Sequence, residues 1–504
     1  MANAVSAFLD DTIGGGAGDR PALVTPTETV TYRELLALVG RAGNALRGLG
    51  VEPEQRVALL LLDGVEWAAT FLGALRIGAV AVPLNTRVPP AEWAAMLRDS
   101  RARVLVAEAA LLAELRPALV NVPHLRAVVA TGGGATSLQA LLAAAAPDCG
   151  PEPVSGDDMA FWLYTSGTTG GPKAAVHVHR NLLACRHYGI DVLQTTESDR
   201  VFATSKLFFA YALGHALLLP LYVGARAYLD PAWPEPGGVL GVLRAFEPTL
   251  FFSVPTFYGR LLRAELPPDA FRSVRACVSA GERLPPELYF AWRKRFGVEI
   301  LDGLGATETI FMVLSNRPGR SRAGSAGQPV PGTEVRLLDS GGRPVADGTP
   351  GVLHVRTPSA SSGYWNRLDV SRQAFAGEWF RTGDVLTRDA DGFYYHDGRD
   401  DERFKVAGLW VTPGEVEAAL RSHPAVLEAG VVGAIAAGGL TKVVAYVVAG
   451  GGDVATLPAA LAAHLETRLP SHQRPQQIYV VDELPRTVTG KLQRYVLRER
   501  AERG

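Results

Sequence analysis

The segment Tyr164-Thr165-Ser166-Gly167-Thr168-Thr169-Gly170-Gly171-Pro172-Lys173 decides how the rest of this chain is read. Phe161-Trp162-Leu163-Tyr164 at its head has the character of a short buried strand. The strand runs into hydroxyl residues, glycines and finally a lysine. Glycine lets the backbone turn its N–H groups onto a ligand, at positive φ where needed. Successive exposed N–H groups make an anion site, the hydroxyls add donors, and Lys173 adds a mobile cation suited to phosphate. The spacing is not that of the common phosphate loop, in which Gly-Lys-Ser/Thr follows four free positions. Here Pro172 precedes the lysine and Ala174 follows it.

Outward from this loop the apolar pattern alternates between strand and helix. Residues 21–25 and 28–30 are predicted to pair as strands, and Thr31 with Glu34 forms a capping signal for a helix carrying Leu35, Leu36, Val39, Ala42 and Leu46. Val57 to Leu62 reads as a buried strand, 66–77 as an amphipathic helix, and 79–83 as the next strand. Strands at 104–106 and 127–130 flank a helix at 110–118; residues 180–193 are predicted helical, with strands at 201–203, 225–229 and 249–254. This alternation predicts an α/β fold with parallel-type sheets wrapped by helices. After residue 315 the composition shifts to Gly, Pro, Ser and Arg, and runs at 335–338 and 351–355 flank a turn-rich stretch, predicting a small antiparallel barrel or sheet. A charged cluster, Arg399-Asp400-Asp401-Glu402-Arg403, precedes a last small α+β unit with helices at 413–421 and 456–468 and strands at 426–433, 442–448 and 477–481. The expected organisation is a large domain over 1–400 and a small mobile domain over 401–504.

The 504 residues exceed a single ordinary core. A net charge of −1 gives no electrostatic case for nucleic acid or an anionic membrane. Cys149, Cys185 and Cys277 lie far apart without metal spacing, which argues for a reducing, cytoplasmic setting. No secretory signal pattern stands at the N-terminus. The run Leu207 to Ala225 just reaches spanning length, but His215, Gly214 and Pro220 interrupt it, and a buried helix or pocket wall is expected.

The ten-residue segment resembles the nucleotide loop of the adenylate-forming superfamily, which comprises acyl- and aryl-CoA ligases, stand-alone adenylation domains and firefly-type luciferases. Four further segments resemble that superfamily in its order: Asp302-Gly303-Leu304-Gly305-Ala306-Thr307-Glu308, Trp379-Phe380-Arg381-Thr382-Gly383-Asp384, Asp397 to Gly408, and Leu484-Pro485-Arg486-Thr487-Val488-Thr489-Gly490-Lys491. The resemblance implies ATP, Mg²⁺ and CoA, or a carrier protein's phosphopantetheine arm in place of CoA. It implies ATP contacts from Thr165, Ser166, Gly167, Thr168, Thr169, Gly170, Lys173, Gly281, Glu282, Asp302, Gly303, Leu304, Gly305, Ala306, Thr307, Asp384, Arg399 and Lys491. Thr307 would bond the α-phosphate, Glu308 would hold the metal, Asp384 the ribose, and Lys491 would offset negative charge during adenylation. Asp401 would be the hinge, with Lys405, Gly408, Leu409 and Trp410 serving the thiol step.

Lys206 to Gly214 and Ser279 to Glu282 further resemble benzoate–CoA ligases, as does the aliphatic Leu304 where most of the superfamily has an aromatic. A pocket of Phe209, Ala210, Tyr211, Gly214, Ser279, Gly281, Gly305 and Ile310 suits a flat ring better than a long chain. Tyr211 is expected to bond the carboxylate or a ring substituent, and Glu282 to face the nucleotide. The expected activity is formation of an aryl adenylate and then its CoA thioester, by a monomer or homodimer. The alternatives are an enzyme loading an aryl acid onto a carrier protein in trans, and a non-catalytic nucleotide-binding scaffold.

Overall fold

The computed structural model describes residues 3–165, 172–407, 409–435, 440–451, 454–486 and 492–503. Its contacts divide the chain into two units, Met1–Val335 with Val355–Arg381, and Arg336–His354 with Thr382–Gly504.

The first unit holds two large sheets. One has six strands in the order Ala127–Ala130, Val104–Ala107, Arg56–Leu60, Val80–Pro83, Met159–Thr165, Lys173–Val178. All its pairs are parallel except the last, which is antiparallel. Val57, Ala58, Leu59 and Leu60 are fully buried, as a strand covered on both faces must be, which is why this run is continuously apolar. Thr31 and Glu34 form the expected capping box at the head of helix Tyr32–Gly48. That helix meets Val65–Arg76 where both carry glycine: a Cβ on Gly73 would lie 2.7 Å from Ala42 Cβ and 2.9 Å from the Gly43 amide.

The other sheet has nine strands, ordered Gln328–Pro329, Met312–Ser315, Ile300–Gly305, Ala276–Ser279, Leu250–Ser253, Arg200–Ala203, Arg226–Tyr228, Pro21–Val24, Thr29–Thr31. The strands from Ile300–Gly305 through Pro21–Val24 run parallel, so the carboxyl ends at Ser253, Ser279 and Gly305 lie together, where α/β sheets bind ligands. Residues 180–193 do not form one helix. They break into His179–Leu182 and Cys185–Gly189, because i to i−3 bonds from the Ala184 and His187 amides tighten the chain between them. The Leu207 to Ala225 run becomes three short helical segments, buried in the main core and ended by Gly224 at φ 75°. Among the described residues no helix is long and apolar enough to cross a membrane.

The second unit contains the three-stranded sheet Val426–Ile435, Thr441–Ala449 and Gln477–Val480, with helices Pro413–Arg421, Leu457–Glu466 and Arg494–Arg503. Val416, Leu420, Val431, Val443, Val447 and Leu461 fill its core with no exposed surface. It also contains the hairpin Phe404–Val406 and Leu409–Val411, and the antiparallel register that sets Asp384 opposite Arg399. The turn-rich stretch after residue 338 separates Glu334–Leu338 from Gly351–Arg356, neighbours in a five-stranded sheet, as the hairpin pattern predicts. The contacts thus group Asp384 and Arg399 with the C-terminal elements, whereas the charged cluster predicts a boundary at Asp401. Packing and hinge motion are different properties, so this grouping does not test Asp401 as a pivot.

Candidate active site

In the first unit, Thr165 pairs with Lys173 at the mouth of the glycine-rich loop, so the two ends of the loop are fixed by strand pairing. Ser166, Gly167, Thr168, Thr169 and Gly170 lie outside the described residues. Lys173 Nζ sits 4.8 Å from the centre of the Tyr364 ring. The Tyr364 hydroxyl donates to Glu308 Oε1 at 2.7 Å, and Glu308 is 8% exposed. His177, on the same strand face as Lys173, bonds the Thr307 carbonyl through Nε2 at 2.9 Å. The turn itself is closed by Thr309, whose Oγ1 accepts from the Ala306 amide at 3.0 Å. Ile310 follows at φ 52°, a left-handed conformation that a β-branched residue adopts only when its surroundings impose it. Tyr364 thus links Lys173 to Glu308, and His177, four residues beyond Lys173, reaches the backbone of Thr307.

Burial pulls the His177 imidazole down to about 4, so it is neutral, and its bond to a carbonyl puts the single proton on Nε2. Asp302 is also buried, and loss of solvent pushes its carboxyl up to about 8. Its Oδ1 and the Ser279 hydroxyl have no hydrogen-bond partner among the described residues. Both stand at the carboxyl ends of adjacent strands, register partners Ser279 and Asp302.

Several expected pocket groups are already used by the protein. The Tyr211 hydroxyl lies 2.9 Å from the Val278 carbonyl and 3.2 Å from that of Ser253, so its proton is committed to the backbone, and what it offers a ligand is its oxygen as an acceptor and its ring. The Glu282 carboxylate accepts from Thr256 Oγ1 at 2.6 Å and the Thr256 amide at 3.2 Å, at the start of helix Pro255–Arg263. A Cβ on Gly303 or Gly305 would come 2.8 Å from the carbonyls of Leu314 and Phe311, so both glycines serve close strand pairing as much as an open pocket. Gly281 differs: at φ 89° with nothing nearer than 3.8 Å, its need is conformational. Gly214 backs onto the Phe311 ring, 2.8 Å from where a Cβ would lie. Phe209 packs edge-on against Phe208, Ala210 and Ile310 are buried, and Leu304 and Ala306 are half-buried.

In the second unit, Asp384 Oδ1 accepts from Arg399 at 3.3 Å and from His396 Nε2 at 3.2 Å, and Arg399 Nε also donates to Asp401 at 2.9 Å. Burial alone would lower the Arg399 guanidinium, but Asp384, Asp401 and Glu402 hold it above its ordinary value. Lys405 and Arg403 both sit over the exposed Trp410 ring, at 4.8 and 4.9 Å, and Leu409 is exposed beside it. Gly408 and Lys491 lie outside the described residues. His177 and His396 were not singled out from the sequence. For His177 the available signal was alternation, since it lies two strand pleats beyond Lys173.

Among the described residues no group of three or more His, Cys, Asp or Glu could hold a metal ion. A lone buried carboxylate does fit Mg²⁺, which keeps its waters and takes most of its remaining ligands from phosphate.

Residues 11–365 match the family model "AMP-binding enzyme" and residues 415–491 match "AMP-binding enzyme C-terminal domain". The chain is 42% identical over 508 residues to a 4-hydroxybenzoate–CoA/benzoate–CoA ligase of Rhodopseudomonas palustris, covering 99% of this chain and 94% of that protein. It is 42% identical over 500 residues to a benzoate–CoA ligase of Thauera aromatica, covering 97% and 95%. A crystal structure of a benzoate CoA ligase from Burkholderia xenovorans LB400 superposes with a TM-score of 0.91 at 40% identity, covering 99% of this chain and 100% of that one. With both family models matched in chain order, the chain belongs to the AMP-binding enzyme family, the adenylate-forming superfamily.

Proposed function

We propose that this chain is an AMP-forming ligase that activates an aromatic acid, benzoate or a ring-substituted benzoate, with ATP and passes it to CoA as a thioester. The observation that supports the adenylation chemistry is that Tyr364 bridges Lys173 and Glu308 while His177, on the strand that begins with Lys173, bonds the Thr307 carbonyl. The acid class is supported by full-length similarity to ligases named for benzoate and hydroxybenzoate. An aryl carboxylate oxygen attacks the α-phosphorus of ATP, the bond to the bridging oxygen breaks, and pyrophosphate leaves. Both reactants are anions, so positive charge at the reacting phosphorus lowers the barrier. Lys491 would supply it, Lys173 would bind the ATP phosphates, and Thr307 would donate to the α-phosphate. Glu308 would hold Mg²⁺, which when bound neutralises phosphate charge. Asp384 accepts from the ribose hydroxyls, with Arg399 and His396 orienting its carboxylate.

In the second step the CoA thiol gives up its proton, the sulfur bonds the acyl carbon, and the carbon–oxygen bond to AMP breaks. Rotation at Asp401 would withdraw Lys491 and present Lys405, Gly408, Leu409 and Trp410 to the pantetheine arm, since one site must serve two reactions in turn. The three unpaired cysteines support a cytoplasmic setting.

The test is pyrophosphate release with ATP and Mg²⁺ over benzoate, its hydroxy and amino derivatives, cinnamates and fatty acids, with and without CoA. Thioester accumulation from a benzoate only when CoA is present is the expected result. An adenylate that CoA does not consume would shift the acceptor to a carrier protein, and turnover of chain acids alone would refute the aryl assignment.

A further inference from the structure

The Thr307–Glu308 turn lies outside any helix or strand, yet three contacts from elsewhere in the first unit pin it. His177 Nε2 donates to the Thr307 carbonyl at 2.9 Å, the Tyr364 hydroxyl donates to Glu308 Oε1 at 2.7 Å, and the Ser361 amide donates to the Glu308 carbonyl at 2.7 Å. The two side chains come from one platform. Segment 361–365 is laid along strand Lys173–Val178 by bonds from the Trp365 amide to Ala174, from the Val176 amide to Gly363, and from the Ser362 amide to Val176, all between 2.9 and 3.0 Å. The strand that begins with Lys173 thus also sets the position of the Thr307 backbone and the Glu308 carboxylate.

We propose that His177 and Tyr364 are positioning residues for adenylation, holding the Thr307 hydroxyl and the Glu308 carboxylate in register with Lys173. The proposal rests on the roles given above to Thr307 and Glu308.

Packing alone does not account for either side chain. The His177 ring lies flat on Phe161, 4.7 Å between centres and 8° between planes, a site that a phenyl ring would fill. Its Nδ1 is buried without a partner among the described residues, which costs stability relative to an apolar ring. What the imidazole adds over a phenyl is the Nε2–H bond to Thr307. Tyr364, packed edge-on against Phe375, likewise adds over phenylalanine the hydroxyl on Glu308, while its ring face lies under Lys173 Nζ. A carboxylate anchored through one oxygen cannot swing to other rotamers, so its approach to the phosphates is set before ATP arrives.

The test separates the half-reactions. Tyr364→Phe, His177→Phe and His177→Gln are assayed for ATP–pyrophosphate exchange with the best benzoate of the panel above. They are assayed separately for thioester formation from that acid's preformed adenylate and CoA. Tyr364→Phe and His177→Phe are expected to slow exchange about 10–100-fold, the range for losing a group that orients a metal ligand or catalytic group. Thioester formation should stay within about twofold, because no phosphate transfer remains in that step. His177→Gln, whose amide can replace the Nε2–H donor, should recover most of the exchange rate. Tyr364→Phe should in addition raise the Mg²⁺ concentration needed for half-maximal exchange. Equal loss in both half-reactions, no loss in exchange, or a glutamine variant as slow as the phenylalanine variant overturns the proposal. Glu308→Gln run in parallel tells the two levels apart. If it retains full exchange, the roles given to the turn are wrong and the positioning idea falls with them. If it is impaired while Tyr364→Phe and His177→Phe are not, the positioning idea alone fails.

Discussion

Replacing Asp302 with asparagine is expected to stabilise the protein increasingly as the pH rises from 5 to 8. The residue is 6% exposed, its Oδ1 has no partner among the described residues, and its Oδ2 meets the Leu284 amide at 3.4 Å. Burial accordingly pushes its pKa from 3.8 up to about 8. An acid whose folded pKa is the higher one holds its proton more tightly folded than unfolded. Its stability contribution is therefore intact below about pH 4, declines by 1.36 kcal/mol per pH unit between the two values, and levels off above about pH 8. The ceiling on this loss is about 6 kcal/mol, of which about 4 falls between pH 5 and 8. Asparagine keeps the size of the side chain but cannot ionise, so the slope should vanish in D302N. Chemical unfolding of both proteins at pH 5, 6, 7 and 8 measures the difference directly. The gap should widen by about 1 kcal/mol per unit of pH, whatever constant offset the new amide introduces. A gap that does not change with pH would refute the picture of a buried, poorly partnered carboxyl. Because Asp302 belongs to the proposed nucleotide set, the stabilised variant is also expected to need more ATP for half-maximal adenylation, as when a protein holds an unfavourable group for function.

Three further outcomes are expected. Gly214→Ala places a methyl 2.8 Å from a Phe311 ring carbon and 3.3 Å from the Ile310 carbonyl; overpacking of this kind costs about 1–3 kcal/mol, and an unchanged melting temperature would show the ring can move aside. Glu417→Ala leaves Arg494, 15% exposed and ion-paired to both Glu417 and Glu402, with one carboxylate fewer. Because Glu402 still compensates the guanidinium, the loss is expected to fall below the about 3–5 kcal/mol of an uncompensated buried charge, to be read as the early loss of an unfolding transition assigned to the second unit. Asp384→Asn should raise the KM for ATP about tenfold or more, since a hydrogen bond to a charged group contributes about 1.5–3 kcal/mol. Little change in kcat at saturating ATP is expected, and an unchanged KM would remove Asp384 from the ribose site.

The fold was legible wherever one periodicity ran unbroken. Val57 to Leu60, Val80 to Pro83 and Val104 to Ala107 are strands buried on both faces and could be read as such from composition. Pro413–Arg421 coincides with its expected helix, and Thr31 with Glu34 makes its capping box. Residues 180–193 do not form the expected single helix, because backbone i to i−3 bonds break it at Ala184 and His187 and side-chain bonds fix the head of the first piece. Asn181 accepts from the Val178 amide and donates to the Pro358 carbonyl 177 residues away, and no local propensity encodes that. Boundaries shifted by a residue or two at most other elements, where fraying and tertiary contacts compete.

The site was legible in a different sense, as an inventory of chemistry without its allocation. Tyr211 and Glu282 have the right residue types for an acid and a nucleotide, but the backbone carbonyls of Ser253 and Val278 and the head of a helix use their polar groups first. Glycines 303 and 305 could be taken for space in a pocket, yet each is also required by an adjacent strand. Conversely, the groups that hold Thr307 and Glu308 act across 130 and 56 residues, so no motif window contains both partners. A motif names the atoms that meet the substrate. The atoms that keep those in place are distributed by the sheet register, here the strand that starts at Lys173 and reaches His177 four residues later. Reactivity in such a site depends on both sets. A carboxylate free to rotate loses most of the advantage of being present, because misplacement of about 1 Å can cost 100-fold in rate. The buried Nδ1 of His177 and Oδ1 of Asp302, without partners among the described residues, sit beside this turn or on the strand leading to it. Their cost falls on the elements that set the geometry of Thr307 and Glu308, and the stacking of His177 on Phe161, which a phenyl ring would match, does not require it.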